Sequence, residues 1–116
     1  MGNGGTGVKI YEHEQISILE IQREITIKNV YEFKETMVKF LENSGNQLIL
    51  DLNDVPYLNS SALGIIAETA INANKDHKEL IVAGVKPPID EIFEIVKFNI
   101  FMKLFPNLQQ ALDYYG

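Results

Sequence analysis

Hydrophobic positions fall into two rhythms along this chain. Alternation comes first. Val8-Lys9-Ile10-Tyr11-Glu12-His13 and Ile16-Ser17-Ile18-Leu19-Glu20-Ile21 each read as a strand, joined by a turn at Glu14-Gln15. That turn lacks the Asn-Gly or glycine-rich pair that tight hairpins favour. The period then lengthens. Val30, Phe33, Met37, Phe40 and Leu41 recur at helical spacing, with Lys34, Glu35, Lys39 and Glu42 between them, which predicts an amphipathic helix. Thr26 or Asn29 can cap its start, and Gly45 suits the left-handed residue that closes its end.

Leu48-Ile49-Leu50-Asp51-Leu52 is apolar on both faces for most of its length, as a central strand covered on both sides would be. Pro56 keeps regular helix out of the loop that follows. A second helix is predicted from Ser60 or Ser61 to about Asp76. Its first turns, Ala62-Leu63-Gly64-Ile65-Ile66-Ala67, are apolar nearly all round and should be deeply buried, with Ala62, Gly64 and Ala67 letting the backbone approach the sheet. Glu79-Leu80-Ile81-Val82-Ala83 reads as another buried strand, stopped by Gly84. Pro88 suits the first position of a helix that carries Ile89, Ile92, Phe93, Ile95 and Val96. Met102-Lys103-Leu104-Phe105 reads as a short strand, and Leu108, Ala111, Leu112 and Tyr115 share one face of a last helix.

Strands alternating with helices predict an α/β fold: a mixed, mostly parallel sheet of four to five strands with about four helices. The initial hairpin supplies the antiparallel part. With 116 residues the chain makes one domain. The expected organisation is a flexible glycine-rich arm over residues 1–7 and a domain over 8–116.

Charge and composition narrow the function. A formal net charge of -6 argues against nucleic acid, whose phosphates call for Lys and Arg clusters, and against an anionic membrane surface. No apolar run approaches a membrane span, and the N-terminus lacks the basic start and apolar middle of a signal peptide. The absence of cysteine excludes disulfides and thiolate metal sites and fits a cytoplasmic protein. His13 and His77 have no companions at metal-ligand spacing. No glycine-rich loop follows a strand to cradle phosphate, so no cofactor is expected. Asp51 and Asp54 read as a solvated strand end and a turn former. Asp90, Glu91 and Glu94 suit the first turns of a helix through its dipole.

Asn59-Ser60-Ser61 remains. By residue type these are helix N-caps. Their setting distinguishes them, between a buried strand with its loop and a buried helix. Tyr57-Leu58-Asn59-Ser60-Ser61-Ala62-Leu63-Gly64 resembles the signature of STAS domains, in particular the bacterial anti-sigma factor antagonists, whose pattern there is apolar-Asp-Ser-Ser/Ala-Gly-Leu-Gly. The resemblance runs from about Val8 to Tyr114. It includes Leu48-Ile49-Leu50-Asp51-Leu52 with Val55, Val82-Ala83-Gly84-Val85-Lys86-Pro87, and Leu104-Phe105-Pro106 with Leu108 and Gln110-Ala111-Leu112.

What the resemblance implies is partner switching. The unmodified domain of that family binds an anti-sigma factor that is also a serine kinase, which releases the sigma factor. Phosphorylation of the serine after the Asp/Asn position ends the binding, and a serine phosphatase restores it. Carried over by position, the phosphoacceptor is Ser60. Asn59 stands where the family usually has aspartate, and Ala62 where it commonly has glycine. Arg23-Glu24-Ile25-Thr26 departs from the family's Gly-Asp/Glu-apolar-Asp at the edge of the first long helix. The partner surface implied in this way comprises Tyr57, Asn59, Ser60, Ser61 and Ala62 with Arg23, Glu24 and Thr26. Three readings stand side by side: a non-enzymatic regulator switched at Ser60, a constitutive STAS binding subunit of a transporter or other complex in which Ser60 only caps, and an enzyme built on Asp51, Asp54 and Ser60.

Overall fold

The computed structural model describes residues 7–98 and 102–116. In chain order the elements are β1 (Val8–His13), β2 (Ile16–Ile21), α1 (Val30–Asn43), β3 (Gln47–Asp51), α2 (Ser60–Lys75), β4 (Glu79–Ala83), α3 (Ile89–Ile95) and α4 (Leu108–Tyr115). The sheet order is β1-β2-β3-β4. The β1–β2 pair is antiparallel, while β2–β3 and β3–β4 are parallel. The fold is therefore the mixed, mostly parallel α/β sheet that the alternation predicts.

Two apolar layers sandwich the sheet. Leu19, Leu48, Leu50, Leu80 and Val82 face α1, α2 and α3. Ile16, Ile18, Ile49, Ile81 and Ala83 face Ala111 of α4. The Tyr115 hydroxyl fixes the end of α4 to the strands by donating to Glu79 O at 2.6 Å and accepting from Leu48 N at 3.3 Å. Burial pushes the Tyr115 phenol well above the usual tyrosine range.

Several turns depart from the sequence pattern. Glu14 and Gln15 both take positive φ, 50° and 74°, the geometry of a two-residue type I′ turn, without the residues it prefers. Neither Thr26 nor Asn29 caps α1 with its side chain. Asn29 Oδ1 instead accepts from Thr26 N at 2.9 Å and Asn29 Nδ2 donates to Glu24 O at 2.9 Å, so its carboxamide folds the connection before the helix. Gly45 is not left-handed. Lys78 Nζ donates to Leu41 O at 2.7 Å and Ser44 O at 2.9 Å, and a side chain from far along the chain thus closes α1. His77 takes the left-handed position, φ 62°, where α2 ends. There Lys78 N donates to Ala73 O and His77 N to Asn74 O, the bond pattern of a Schellman motif.

Pro88 lies one residue before α3, reached through a cis Pro87–Pro88 bond. Because α3 has only seven residues, Ile95 and Val96 fall at its end and stay exposed, while Ile89 and Phe93 are buried. The strand expected at Met102–Phe105 reduces to a single parallel bridge, Val82 with Leu104, on the outer edge of β4. Of the expected N-terminal arm, residues 1–6 lie outside the described residues. Gly7 is held, its carbonyl accepting from Gln22 N at 2.7 Å.

Candidate functional site

The signature segment occupies the C-terminal edge of the parallel strands, where β3 hands the chain to α2. Asn53 N donates to Asp51 Oδ1 at 3.0 Å, Asn53 Nδ2 to Asp54 Oδ1 at 3.1 Å, and Lys86 Nζ to Asn53 Oδ1 at 3.0 Å. Val55 and Leu58 anchor the loop from below. Gly84, with φ +78°, lies directly under it, and a Cβ there would run into the Asn53 backbone. Asp51 corrects the expectation of a solvated strand end, because it is 5% exposed. Burial pushes its carboxyl above the usual range, Glu20 and Asp54 add to this, and the Asn53 amide and Lys86 oppose it.

The segment before α1 pairs with the same loop. Ile25 N donates to Tyr57 O at 2.9 Å and Asn59 N to Ile25 O at 3.0 Å, around a parallel bridge between Ile25 and Leu58. Both bridging side chains are buried. Of their neighbours, Glu24 and Tyr57 are exposed, while Thr26 and Asn59 are half-buried. The structure thus joins Glu24 and Thr26 to the signature residues. Arg23 lies further toward the hairpin, lining a cleft of about 190 Å³ with Val8, Ile21, Ile25 and Phe33.

Asn59 is the cap of α2. Its backbone is extended, and Oδ1 accepts from Ala62 N at 2.8 Å. Ser60 and Ser61 are therefore the first two helical residues, and both are exposed. No acidic side chain stands in the first turn of α2, so the positive end of the helix dipole is uncompensated there. Ala62 leaves the predicted partner surface, since its methyl is fully buried in the core. Gly64 does the reverse. The expectation that it lets α2 approach the sheet does not hold, because it is exposed and a Cβ there would meet nothing within 4 Å. Spacings of three and four place Ser60, Ser61 and Gly64 on one helical face. That spacing was the signal available in the sequence for Gly64. Exposed apolar groups flank the site: Tyr57 at 48%, Ile27 at 86% and Tyr31 at 72%. Nothing in the periodicity distinguishes Ile27 or Tyr31 from core residues.

The sequence model of the STAS domain family matches residues 7–111. The chain belongs to the STAS domain family. It is similar to an anti-sigma-B factor antagonist of Staphylococcus aureus, with 27% identity over 84 residues, 72% of this chain and 78% of that protein. A solved anti-sigma factor antagonist from Mycobacterium paratuberculosis superposes with a TM-score of 0.84 at 21% identity, covering 92% of this chain and 91% of that one. The Bacillus cell fate determinant SpoIIAA in its phosphorylated form gives a TM-score of 0.70 at 11% identity, covering 94% of this chain and 99% of the other. This STAS domain therefore shares its fold with a protein solved with phosphate attached. No helix among the described residues is long and apolar enough to cross a membrane.

Proposed function

We propose that this STAS domain is an anti-sigma factor antagonist: it binds an anti-sigma factor that is also a serine kinase, and so frees a sigma factor. Ser60 is the switch. The kinase moves the γ-phosphoryl group of ATP onto Ser60 Oγ, ADP and the hydroxyl proton leave, and the modified domain lets go. A serine phosphatase hydrolyses the phosphoester and restores binding. The domain acts in the cytoplasm, where its partners work, and does no catalysis itself.

One observation carries this reading. Asn59 does the capping, which leaves the Ser60 hydroxyl exposed at a helix N-terminus with no acid in its first turn. A phosphate there would meet free backbone amides and a positive dipole end. It would bring about -1.5 to -2 charges without disturbing the core. The partner would feel it instead, through repulsion and lost contacts on the surface of Tyr57, Asn59, Ser61, Glu24 and Thr26. The carboxamide of Asn59 keeps the cap that an aspartate would supply and leaves a second negative charge away from the phosphate.

Incubation with the anti-sigma kinase from the chain's own genome and ATP, followed by mass-spectrometric mapping, tests the proposal. Phosphate on Ser60 of the wild type and none on Ser60→Ala is the expected result. Modification of the alanine variant would remove Ser60 as the site, and no modification at all would remove the switch.

A further inference from the structure

The two edges of the sheet are finished differently. Along β4, Val82 N donates to Lys103 O at 3.1 Å and Phe105 N to Val82 O at 2.8 Å, so the segment before α4 covers that edge. β1 forms the other edge, and among the described residues no strand pairs with its outer side. The hairpin decides which groups point outward. Its two-residue turn makes His13 and Ile16 a hydrogen-bonded pair, and such pairs alternate along an antiparallel ladder. Lys9, Tyr11 and His13 therefore turn their main-chain groups toward β2, as Gly7 does in accepting from Gln22 N at 2.7 Å. Ile10 and Glu12 turn theirs to the open side. The six residues of β1 pair one for one with β2, so neither a bulge nor a proline blunts this edge. Ile10 is 54% exposed there, although Leu19, its partner in the ladder, is fully buried. We propose that β1 is a self-association edge: two copies of this chain pair β1 with β1, antiparallel, about a two-fold axis at Ile10, and join their sheets into one.

The charges along β1 select both the partner and the register. In a two-fold pairing one residue must face its own copy. Centring on Lys9 or on Glu12 sets like charges directly opposite each other, which is destabilising. Centring on Tyr11 sets Ile10 against Glu12 and Lys9 against His13. Centring on Ile10 opposes no like charges. The two exposed isoleucines then cover each other, and the N–H and C=O of each Ile10 bond those of the other copy. On the opposite face of the sheet Lys9 comes to lie across from Tyr11 of the second copy. Lys9 Nζ already stands 5.4 Å from the ring centroid of Tyr11 in its own strand, so the pairing adds a second ring to an existing cation–π contact. This self-complementarity favours a second copy over an unrelated peptide. A contact one strand wide is small, so the dimer should form in a concentration-dependent way. The inference stands apart from the function proposed above, because β2 separates β1 from β3, the strand that leads to Ser60.

Sedimentation velocity of the full chain over a hundredfold range of concentration, with thermal melting beside it, tests the proposal. The wild type should pass from monomer to dimer as concentration rises. Ile10→Lys, which sets two ammonium groups face to face, should weaken that dimer tenfold or more and leave the Tm unchanged. A cysteine pair reads the register, since the chain has no cysteine of its own. Ile10→Cys should form a disulfide-linked dimer under mild oxidation, because residues facing each other across a hydrogen-bonded antiparallel pair hold their Cα atoms about 5.5 Å apart. Glu12→Cys, four residues out of step with its own copy, should link at least tenfold more slowly. A wild type that stays monomeric throughout overturns the proposal and shows the edge to be covered from within the chain. A dimer that Ile10→Lys leaves intact, or equal linking by the two cysteine variants, overturns it as well and moves the contact to another face.

Discussion

On its inner side α2 presents Ala62, Leu63, Ile66, Ala70 and Ala73, all buried against the sheet and α1; on its outer side, within the same first turns, it presents Ser60, Ser61 and Gly64 to solvent. The inner side is chosen for volume and apolar area. The outer side is short of both, and one of its members lowers helix propensity. Two demands are thus separated within one element: replacing an inner residue should change stability, and replacing an outer one should change recognition. Asn59 stands at the border, because its side chain caps the helix while its position adjoins Ser60.

The strongest test of that division is Ile66→Ala, which empties a fully buried position. It should cost about 2–5 kcal/mol in urea denaturation. Loss of partner binding with no such loss of stability would break the separation of the two sides. Asn59→Ala removes the cap and should cost about 1 kcal/mol, whereas Asn59→Asp should keep most of it, as thermal melts can compare. Asp51→Asn carries the comparison to the strand that feeds the helix. A carboxyl whose folded pKa is raised destabilises the fold above that pKa, and the penalty fades as pH falls toward the ordinary aspartate value of about 3.9. The variant should therefore melt higher than wild type at pH 7, with the gap closing toward pH 4; a gap independent of pH would contradict the buried charge. Smallest of all in stability is Ser60→Ala, expected within about 0.5 kcal/mol of wild type, even though the proposed phosphorylation at this position should be lost.

Much of the architecture was legible because it rests on local period. Alternation located β1 and β2, helical spacing located α1, and the polar triplet before Ala62 located the start of α2 within a residue. What escaped was decided by partners distant in the chain. Gly45 looked like the stop of α1, but Lys78 arrives from far along the chain to bond the last carbonyls, so no left-handed residue is needed. Asp51 looked solvated because it ends a strand, yet the loop after it folds back across it. Ile95 and Val96 fit the helical rhythm, but α3 ends too early to turn them inward. At the site the motif was readable and the orientations were not. Ala62 and Gly64 are both small, and only the rotation of the helix against the sheet sends one into the core and the other out. The pairing of Ile25 with Leu58, which brings Glu24 and Thr26 to the signature, is backbone hydrogen bonding between distant segments, and side-chain pattern carries no trace of it.

Lys78 joins more than it terminates. Its backbone amide closes α2 on Ala73, and its ammonium closes α1 on Leu41 and Ser44. The two helices therefore share one clamp at the end remote from Ser60, about 24 Å away along the 16 residues of α2. Neither can slide or rotate without straining the other's last turn. Under the proposed function, a partner arriving at Ser60 should then meet a preorganised helix pair, with less ordering entropy to lose on contact. The proposed phosphate should then act on the partner through its charge more than through a rearrangement of the two helices.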